Sequence, residues 1–317
     1  MTATSSTTVT MPSTPSTPST SSTPLLQAAL PPLPAWRRKL RRLLGHRGLM
    51  LGTAILAVIV LAAIFSPLLA PHDPFDQDVT ARLIPPVWQA QGSWEHILGT
   101  DKLGRDYLSR LIYGARVSLT IGIAAALISG LIGTTLGVLA GYFGGRTDAF
   151  ISYLITTRLA MPVVLVALAM ASLVGGSLKV VILLLGLLLW DRFAVVTRSA
   201  TQQLRDAEFI AAAKAIGAST PYILLREILP NIMGALIVVV TLEMAHAILL
   251  EATLSFLGLG VQPPTPSWGL MVAEGKTYMF FKPWVIVIPG VALALLVLAI
   301  NLVGDGMRDV NAPDGRN

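Results

Sequence analysis

The sequence predicts an all-α membrane protein with six transmembrane helices, on the grounds of its composition and the spacing of its apolar residues. Hydrophobic residues make up 54% of the 317 residues, charged residues only 13%, and the mean hydropathy is +0.70. A soluble domain carries roughly 25% charged residues, so this composition excludes an ordinary water-soluble fold. The apolar residues form long blocks, near the roughly 20 residues that cross a bilayer, and not the amphipathic stripes of soluble helices.

Six apolar blocks supply the predicted spans, and most of them are apolar around the whole helix. They cover residues 49–70, 117–140, 149–173, 178–196, 232–257 and 284–303. Two blocks contain pairs that weaken a helix, Met161-Pro162 in the third and Pro289-Gly290 in the sixth. Because proline frees a backbone carbonyl, each pair is expected to form either a kink or a hinge.

The lysine and arginine residues predict the orientation of these spans. Fourteen of them, Arg192 included, fall in segments that would be cytoplasmic if the N-terminus is inside, and eight fall in outside segments. This excess favours an N-in, C-in topology. The net charge of +6 is therefore a topology signal, and no nucleic-acid partner is expected. The absence of cysteine excludes thiolate metal sites.

Composition divides the chain into four regions. Residues 1–35 carry no charge and are rich in Ser, Thr and Pro, which predicts a disordered cytoplasmic tail. Residues 36–114 hold the first span and an outside segment, in which Asp101 or Asp106 would cap a short interfacial helix. Residues 115–305 contain the other five spans, and 306–317 form a short cytoplasmic tail.

The cytoplasmic loop 206–231 predicts a helix–turn–helix elbow. A first helix of strong helix formers stops at Gly217, which suits the left-handed position after a helix end. Thr220 offers an N-cap oxygen for a second short helix over 221–228. Pro230 would end this second helix ahead of the fifth span.

The spacing of several residues in this elbow resembles the coupling-loop signature of ABC importer permeases. The triplet Ala211-Ala212-Ala213, Gly217 and the pair Leu229-Pro230 match that signature in spacing. From about Trp36 onward the chain resembles the second permease subunit of the dipeptide/oligopeptide/nickel permease group. The matching segments outside the elbow are 98–106, 113–116, 141–145, 160–162 and, above all, 251–260.

The resemblance implies a type I ABC importer (MetI-like) permease fold, with 115–305 as the ABC transmembrane type-1 domain, in a bacterial inner membrane. It implies three kinds of partner besides membrane lipid: a homologous second permease subunit, two ATP-binding subunits and an extracytoplasmic substrate-binding protein. ATP and Mg would bind to the ATPase subunits, and this chain itself would bind no cofactor. The implied cargo is peptide, with nickel or glutathione as alternatives within the group.

Two residues depart from the group's pattern. Ala211 stands where a glutamate is expected, and Glu227 stands where relatives often carry histidine. Glu208 lies three residues before Ala211, on the same helical face, and is expected to take over part of the missing role. The residues predicted to couple this chain to the ATPase are Glu208, Ala211, Ala212, Ala213, Gly217, Glu227, Leu229 and Pro230.

Three ionisable residues in the fifth block, Glu243, His246 and Glu251, are candidates for the translocation pathway, because burying such groups in hydrocarbon is costly. Glu243 and His246 share a helix face. They would form either a paired site lining the pathway or an intrahelical hydrogen bond facing a neighbouring helix. Glu251 follows Asn231 by 20 residues, about 30 Å of helix, and is expected at the outer gate.

The sequence shows no catalytic machinery. The Gly-Lys-Thr ending of 269–277 lacks the four-residue spacing of a phosphate-binding loop, which predicts a transport subunit without its own ATPase site. No metal site is predicted, since Glu243 and His246 would form only half of a di-iron set and His46, His72 and His96 lie outside any suitable span. An ion-coupled secondary transporter is the alternative class, although no inverted repeat is evident. The rigid loop 262–269, ending near Trp268, would contact the binding protein or anchor in the headgroups.

Overall fold

The computed structural model describes residues 45–311. The tail predicted for 1–35, the basic residues between 37 and 42 and the last six residues lie outside the described residues. Within 45–311 the regular structure is helical, apart from an isolated bridge between Thr100 and Asp106. The helices are α1 (Arg47–Ile64), α2 (Ser66–Leu69), α3 (Tyr107–Phe143), α4 (Gly145–Ala160), α5 (Val163–Val174), α6 (Leu178–Leu188), α7 (Asp191–Arg205), α8 (Glu208–Ala215), α9 (Thr220–Phe256), α10 (Trp268–Gly275) and α11 (Trp284–Asn311).

The number of spans agrees with the prediction. Five helical segments of the described chain are long and apolar enough to cross a membrane: α1, α3, the α6–α7 segment Leu178–Arg205, α9 and α11. The bent pair α4 and α5 makes a sixth when it is counted as one span.

The second span begins earlier than its apolar block. Asp106 caps α3, with a side-chain oxygen accepting a hydrogen bond from Ser109 N at 2.8 Å. Asp106, one of the two predicted caps, therefore begins a helix, but the prediction that this helix is a short interfacial one is wrong, because α3 runs unbroken for 37 residues. At 1.5 Å per residue this is about 55 Å, longer than the roughly 30 Å hydrocarbon core, so α3 extends beyond the bilayer.

The third span is broken, where the sequence predicted one block. Its two halves meet at an angle of 86° at Met161-Pro162. Met161 is extended, with φ −89° and ψ 130°, as expected for a residue that precedes proline. The structure therefore has a sharp bend at this pair, and a role as a hinge stays a prediction. At Pro289-Gly290, by contrast, α11 continues as a helix through the proline.

The fifth span also differs from the prediction at its start. Ser219, not Thr220, is the N-cap residue of α9, and the helix continues through Pro230 to Phe256. A π-helical turn over Ile223–Ile228 precedes the proline. Such a turn widens the backbone, which gives the proline ring room that a regular α-helix lacks.

Glycines bring α3 and α7 into close contact. Gly133, Gly137 and Gly141 recur every four residues on α3, and a Cβ added at any of them would lie 2.0–2.7 Å from atoms of the 190–201 segment. For example, a Cβ at Gly137 would lie 2.0 Å from Thr197 Oγ1. Small residues at this spacing let two helix backbones approach inside a membrane. This packing places α7 beside the helices that carry the candidate site.

Candidate functional site

The elbow, residues 206–231, has one face buried in the protein. Ile210 of α8 is fully buried and packs in a cluster with Val138, Phe193 and Ile232. These partners come from α3, α7 and α9, so the elbow rests on three spanning helices. Ala213 lies on the same buried face, as its position three residues after Ile210 requires.

The turn of the elbow has the geometry that its glycine predicts. Gly217 adopts φ +83°. Ala218 N donates to Ala213 O and Gly217 N donates to Lys214 O, both at 3.0 Å, which is the hydrogen-bond pattern of a Schellman helix end. The prediction of a left-handed glycine at this position is confirmed.

The opposite face of the elbow is exposed. Glu208, Ala211 and Ala212 are open to solvent, together with Gly217. Ile216 at the tip is 86% exposed, although it is a large apolar residue. The exposed face thus combines small side chains, an apolar tip and a carboxylate at the first helical position of α8, as a surface that docks into a groove would.

The remaining predicted elbow residues lie at the junction with the fifth span. Glu227 and Leu229 are half-buried and Pro230 is exposed. The side-chain amide of Asn231 donates to Glu227 O at 2.6 Å. This bond satisfies a carbonyl close to the proline. The helix is continuous at this point, so it joins the elbow to the fifth span.

Glu243 lies at the centre of a charged group between two spans. Its side chain is 1% exposed, and its carboxylate contacts Arg192 Nη1 at 3.1 Å and His246 Nδ1 at 3.3 Å. The intrahelical contact with His246 is one of the two predicted alternatives. The sequence does not predict the contact with Arg192, because the topology assignment places Arg192 in a cytoplasmic segment. That assignment is wrong: Arg192 lies about halfway along the span Leu178–Arg205.

A cleft of about 150 Å³ adjoins this charged group. Its lining includes Arg158, Asp191, Arg192 and His246, together with residues at the breaks in the third and fourth spans. Arg158 Nε donates to Leu188 O at 2.9 Å, which satisfies a carbonyl freed at the break between α6 and α7. Broken helices and charged groups deep in a membrane protein are tolerated where they line a cavity or are buried in protein.

Glu251 is placed in the interior of this chain. Its side chain is fully buried, and Oε1 accepts hydrogen bonds from Ser255 Oγ at 2.7 Å and Ser267 Oγ at 2.9 Å. Gly269 makes room for the other oxygen, since a Cβ there would lie 2.7 Å from Oε2. Glu251 therefore ties α9 to the segment before α10, and its role at a gate stays a prediction.

A second buried charge cluster holds the predicted outside face together, and the sequence patterns did not reveal it. Arg110 bonds Asp101 and contacts Glu274 at 2.9 Å, while Arg105 contacts Asp101 at 2.6 Å and Glu274 at 3.4 Å. Burial raises the pKa of the Glu274 carboxyl, and the nearby Arg105 and Lys102 oppose that rise. Asp101 thus joins this cluster, whereas Asp106 caps α3.

Trp268 is also an interior residue. Its indole is 3% exposed and Nε1 donates to Leu111 O at 2.8 Å. Gly114 provides the space, since a Cβ there would lie 2.8 Å from the indole ring. Trp268 therefore takes no part in the contact predicted for the loop 262–269, and a contact of the exposed part of that loop with the binding protein or the headgroups stays a prediction.

A larger cleft of about 590 Å³ lies between α3 and the start of α9. Leu131, Val138, Phe143, Leu224 and Leu225 are among its lining residues. Its lining is apolar apart from a few threonines, so it offers lipid chains or another helix a surface but no recognition of a polar cargo.

A bundle of spanning helices, an exposed elbow and charged groups between the spans define a membrane transport subunit. The model of the family described as "binding-protein-dependent transport system inner membrane component" matches residues 133–316, more than half of the chain. The model described as "N-terminal TM domain of oligopeptide transport permease C" matches residues 35–86. The chain belongs to the family of binding-protein-dependent transport system inner membrane components.

Curated relatives resemble the chain over most of its length. The dipeptide transport system permease protein DppC of Haemophilus influenzae is 39% identical over 268 residues, 84% of this chain and 91% of that protein. The di/tripeptide transport system permease protein DppC of Pseudomonas aeruginosa is 41% identical over 272 residues, 86% of this chain and 90% of that protein. These relatives favour an ABC importer permease over an ion-coupled secondary transporter.

The fold agrees with a solved transporter. An inward-facing structure of the MetNI methionine ABC transporter superposes with a TM-score of 0.54 at 19% identity, covering 65% of this chain and 98% of that chain. A second crystal form gives a TM-score of 0.53. The predicted type I permease fold is thereby confirmed.

Proposed function

We propose that this chain and a homologous second permease subunit form the translocation pathway of an ATP-driven importer of di- or oligopeptides. The exposed face of the elbow is the observation that carries this proposal, because it offers small side chains and an apolar tip to a partner. The names of the relatives support peptide as the cargo. Nickel complexes and glutathione are the alternative cargoes.

The elbow is proposed to couple this chain to one of two ATP-binding subunits, which together hold ATP and Mg. Glu208, Ala211, Ala212 and Gly217 lie on its exposed face and would enter a groove of one ATPase subunit. Because α9 is continuous through Pro230, a displacement of the elbow would move the fifth span as one lever. In this proposal the chain needs neither an ATPase site nor a cofactor of its own.

Glu243, His246 and Arg192 are proposed to form a polar lining of the pathway. Arg192 is 57% exposed and His246 is 32% exposed, whereas Glu243 is buried behind them. A zwitterionic or charged cargo would then meet an arginine and an imidazole along a wall that also holds Arg158, Asp191 and apolar residues. Glu251 is proposed to hold the outer end of α9 against the segment before α10, so that a gate there moves as a unit.

The further partners are an extracytoplasmic substrate-binding protein and the lipid of a bacterial inner membrane. The complex of both permease subunits and both ATPase subunits, reconstituted in proteoliposomes with its binding protein, tests the proposal. Peptides of two to five residues should stimulate ATP hydrolysis and accumulate inside, whereas nickel and glutathione should not. Transport by this chain alone, without ATP, would contradict the proposal.

The pathway lining can be tested separately, because the chain contains no cysteine. His246→Cys and Arg192→Cys should react with a water-soluble thiol reagent in the assembled complex, and bound peptide should slow the reaction. Ala247→Cys is the matched control, since Ala247 neighbours His246 and is fully buried. Equal labelling of positions 246 and 247 would show that the side chains of His246 and Arg192 do not line the pathway.

A further inference from the structure

Three side chains that are distant in sequence meet at the predicted outside face. His96 Nδ1 lies 2.9 Å from Asp106 Oδ1, and His72 Nδ1 lies 3.7 Å from the same oxygen. One ligand atom from each residue lies within 4.8 Å of the other two. Neither histidine was predicted to take part in any site.

The carboxylate of Asp106 is oriented by the protein. It is 1% exposed, and Oδ2 accepts a hydrogen bond from Ser109 N at 2.8 Å. This bond leaves Oδ1 directed toward the two imidazoles. Carboxylates that bind metals in proteins usually also accept a hydrogen bond from the surrounding protein.

His72 supplies an imidazole nitrogen without a partner of its own. Its Nδ1 is buried and accepts or donates no hydrogen bond within the described residues. Its backbone N–H donates to Ser109 Oγ at 3.1 Å, which fixes the start of the outside segment against α3. The ring itself is 37% exposed, so the site can be reached from solvent.

The distances from Asp106 Oδ1 to the two imidazole nitrogens suit a small divalent ion. Zinc binds imidazole nitrogen and carboxylate oxygen at about 2.0–2.2 Å, which separates the atoms of a tetrahedral set by about 3.3 Å. The two separations from Asp106 Oδ1 lie within a few tenths of an ångström of that value. Two imidazoles and one carboxylate form a set that suits Zn²⁺ or a similar transition metal better than Mg²⁺ or Ca²⁺, which prefer oxygen ligands.

We propose that His72, His96 and Asp106 bind one divalent transition-metal ion, Zn²⁺, on the predicted outside face, with water at the open position. The ion would join three parts of the chain: the end of the first span, the loop that carries His96, and the N-cap of α3. It would thereby hold the outside segment against the second span. This site is separate from the proposed peptide pathway and does not depend on the cargo.

A calorimetric titration tests the proposal. The complete permease–ATPase complex is first treated with a chelator and is then titrated with Zn²⁺ alone. The wild-type complex should bind one more Zn²⁺ per copy of this chain than complexes carrying His96→Ala or His72→Ala. Asp106→Asn should weaken that site by at least about 100-fold, since even lesser changes around a metal cost 10–100-fold. Asparagine caps helices as well as aspartate does, so this variant preserves the start of α3.

His46→Ala is the matched control, because His46 contacts Asp309 and the start of α1 instead. Zn²⁺, but not Mg²⁺, should raise the thermal midpoint of the wild-type and His46→Ala complexes and leave that of the Asp106→Asn complex unchanged. Equal Zn²⁺ stoichiometry in all complexes would overturn the proposal. Absence of Zn²⁺ binding at this site in the wild-type complex would also overturn it, and would show that the three residues form only a hydrogen-bonded group.

Discussion

Glu208 lies on the exposed face of the elbow, three residues before the alanine that replaces the expected glutamate. Both positions are open to solvent, and Glu208 is the first residue of α8. A carboxylate at either position could reach the same partner surface, since the two share a helix face.

Glu208→Ala is therefore expected to lower peptide-stimulated ATP hydrolysis and uptake severalfold without loss of the assembled complex. Asp206→Ala is the control, because Asp206 is an exposed carboxylate just before the same helix. Adding Ala211→Glu to the Glu208→Ala variant should restore coupling. Unchanged coupling in Glu208→Ala would show that Glu208 does not take over the role of the glutamate expected at position 211.

The Arg192–Glu243 contact allows a double-mutant test in the membrane interior. Arg192→Ala leaves the buried Glu243 carboxylate with His246 alone. It should destabilise the complex by about 1 kcal/mol, below the 3–5 kcal/mol of a fully buried pair, because solvent screens Arg192. Adding Glu243→Gln should recover part of the thermal midpoint, whereas a further loss would mean that the two residues do not compensate each other.

At the scale of the elements, the contact between α3 and α7 depends on having no side chain at Gly133, Gly137 and Gly141. Each glycine faces backbone atoms of the neighbouring segment, or side-chain atoms no further from the backbone than the γ position. Such neighbours cannot rotate away as the end of a long side chain can. The elbow uses glycine differently, because Gly217 has open space around it and is required for its positive φ.

Gly137→Ala should therefore destabilise the bundle by about 1–3 kcal/mol, the usual cost of overpacking, and lower the yield of folded complex. Gly234→Ala in α9 is the matched control, since a Cβ there meets nothing within 4 Å. That change should raise stability by about 0.5–1 kcal/mol, because alanine favours a helix over glycine. Thermal unfolding in one detergent compares the two, and equal midpoints would refute close packing at Gly137.

At the scale of the whole molecule, the buried charge cluster links the outside segment to α10. Arg110 and Glu274 are 164 residues apart in sequence, yet they share a contact in the interior. The segment between the first two spans has little regular structure of its own, so such contacts determine its position.

Arg110→Ala should cost about 3 kcal/mol of stability, since it removes one of the two buried cations that Asp101 and Glu274 share and leaves them with Arg105. Lys102→Ala removes another cation from Glu274, but its side chain is 39% exposed, and the loss should stay below about 1 kcal/mol. Thermal midpoints of the two variants provide the comparison. A loss for Arg110→Ala no larger than that for Lys102→Ala would contradict a structural role for the cluster.

Composition and block length alone were sufficient to predict a six-span helical membrane protein, and local chemistry was sufficient for the helix end at Gly217. These features depend on residues within about four positions of one another, or on the partition of whole segments into the bilayer. The resemblance of short segments to a permease group was confirmed by relatives that match most of the chain.

Only the folded chain decided how distant residues meet. The 86° bend at Met161-Pro162 and the helix through Pro230 depend on whether neighbouring elements satisfy or make room for the backbone, which no local pattern records. Arg192 and Glu243 are 51 residues apart, and His72, His96 and Asp106 come from separate segments. Charge counts place such residues in loops or spans. Which of them become partners depends on how the helices pack, and only the tertiary structure shows that packing.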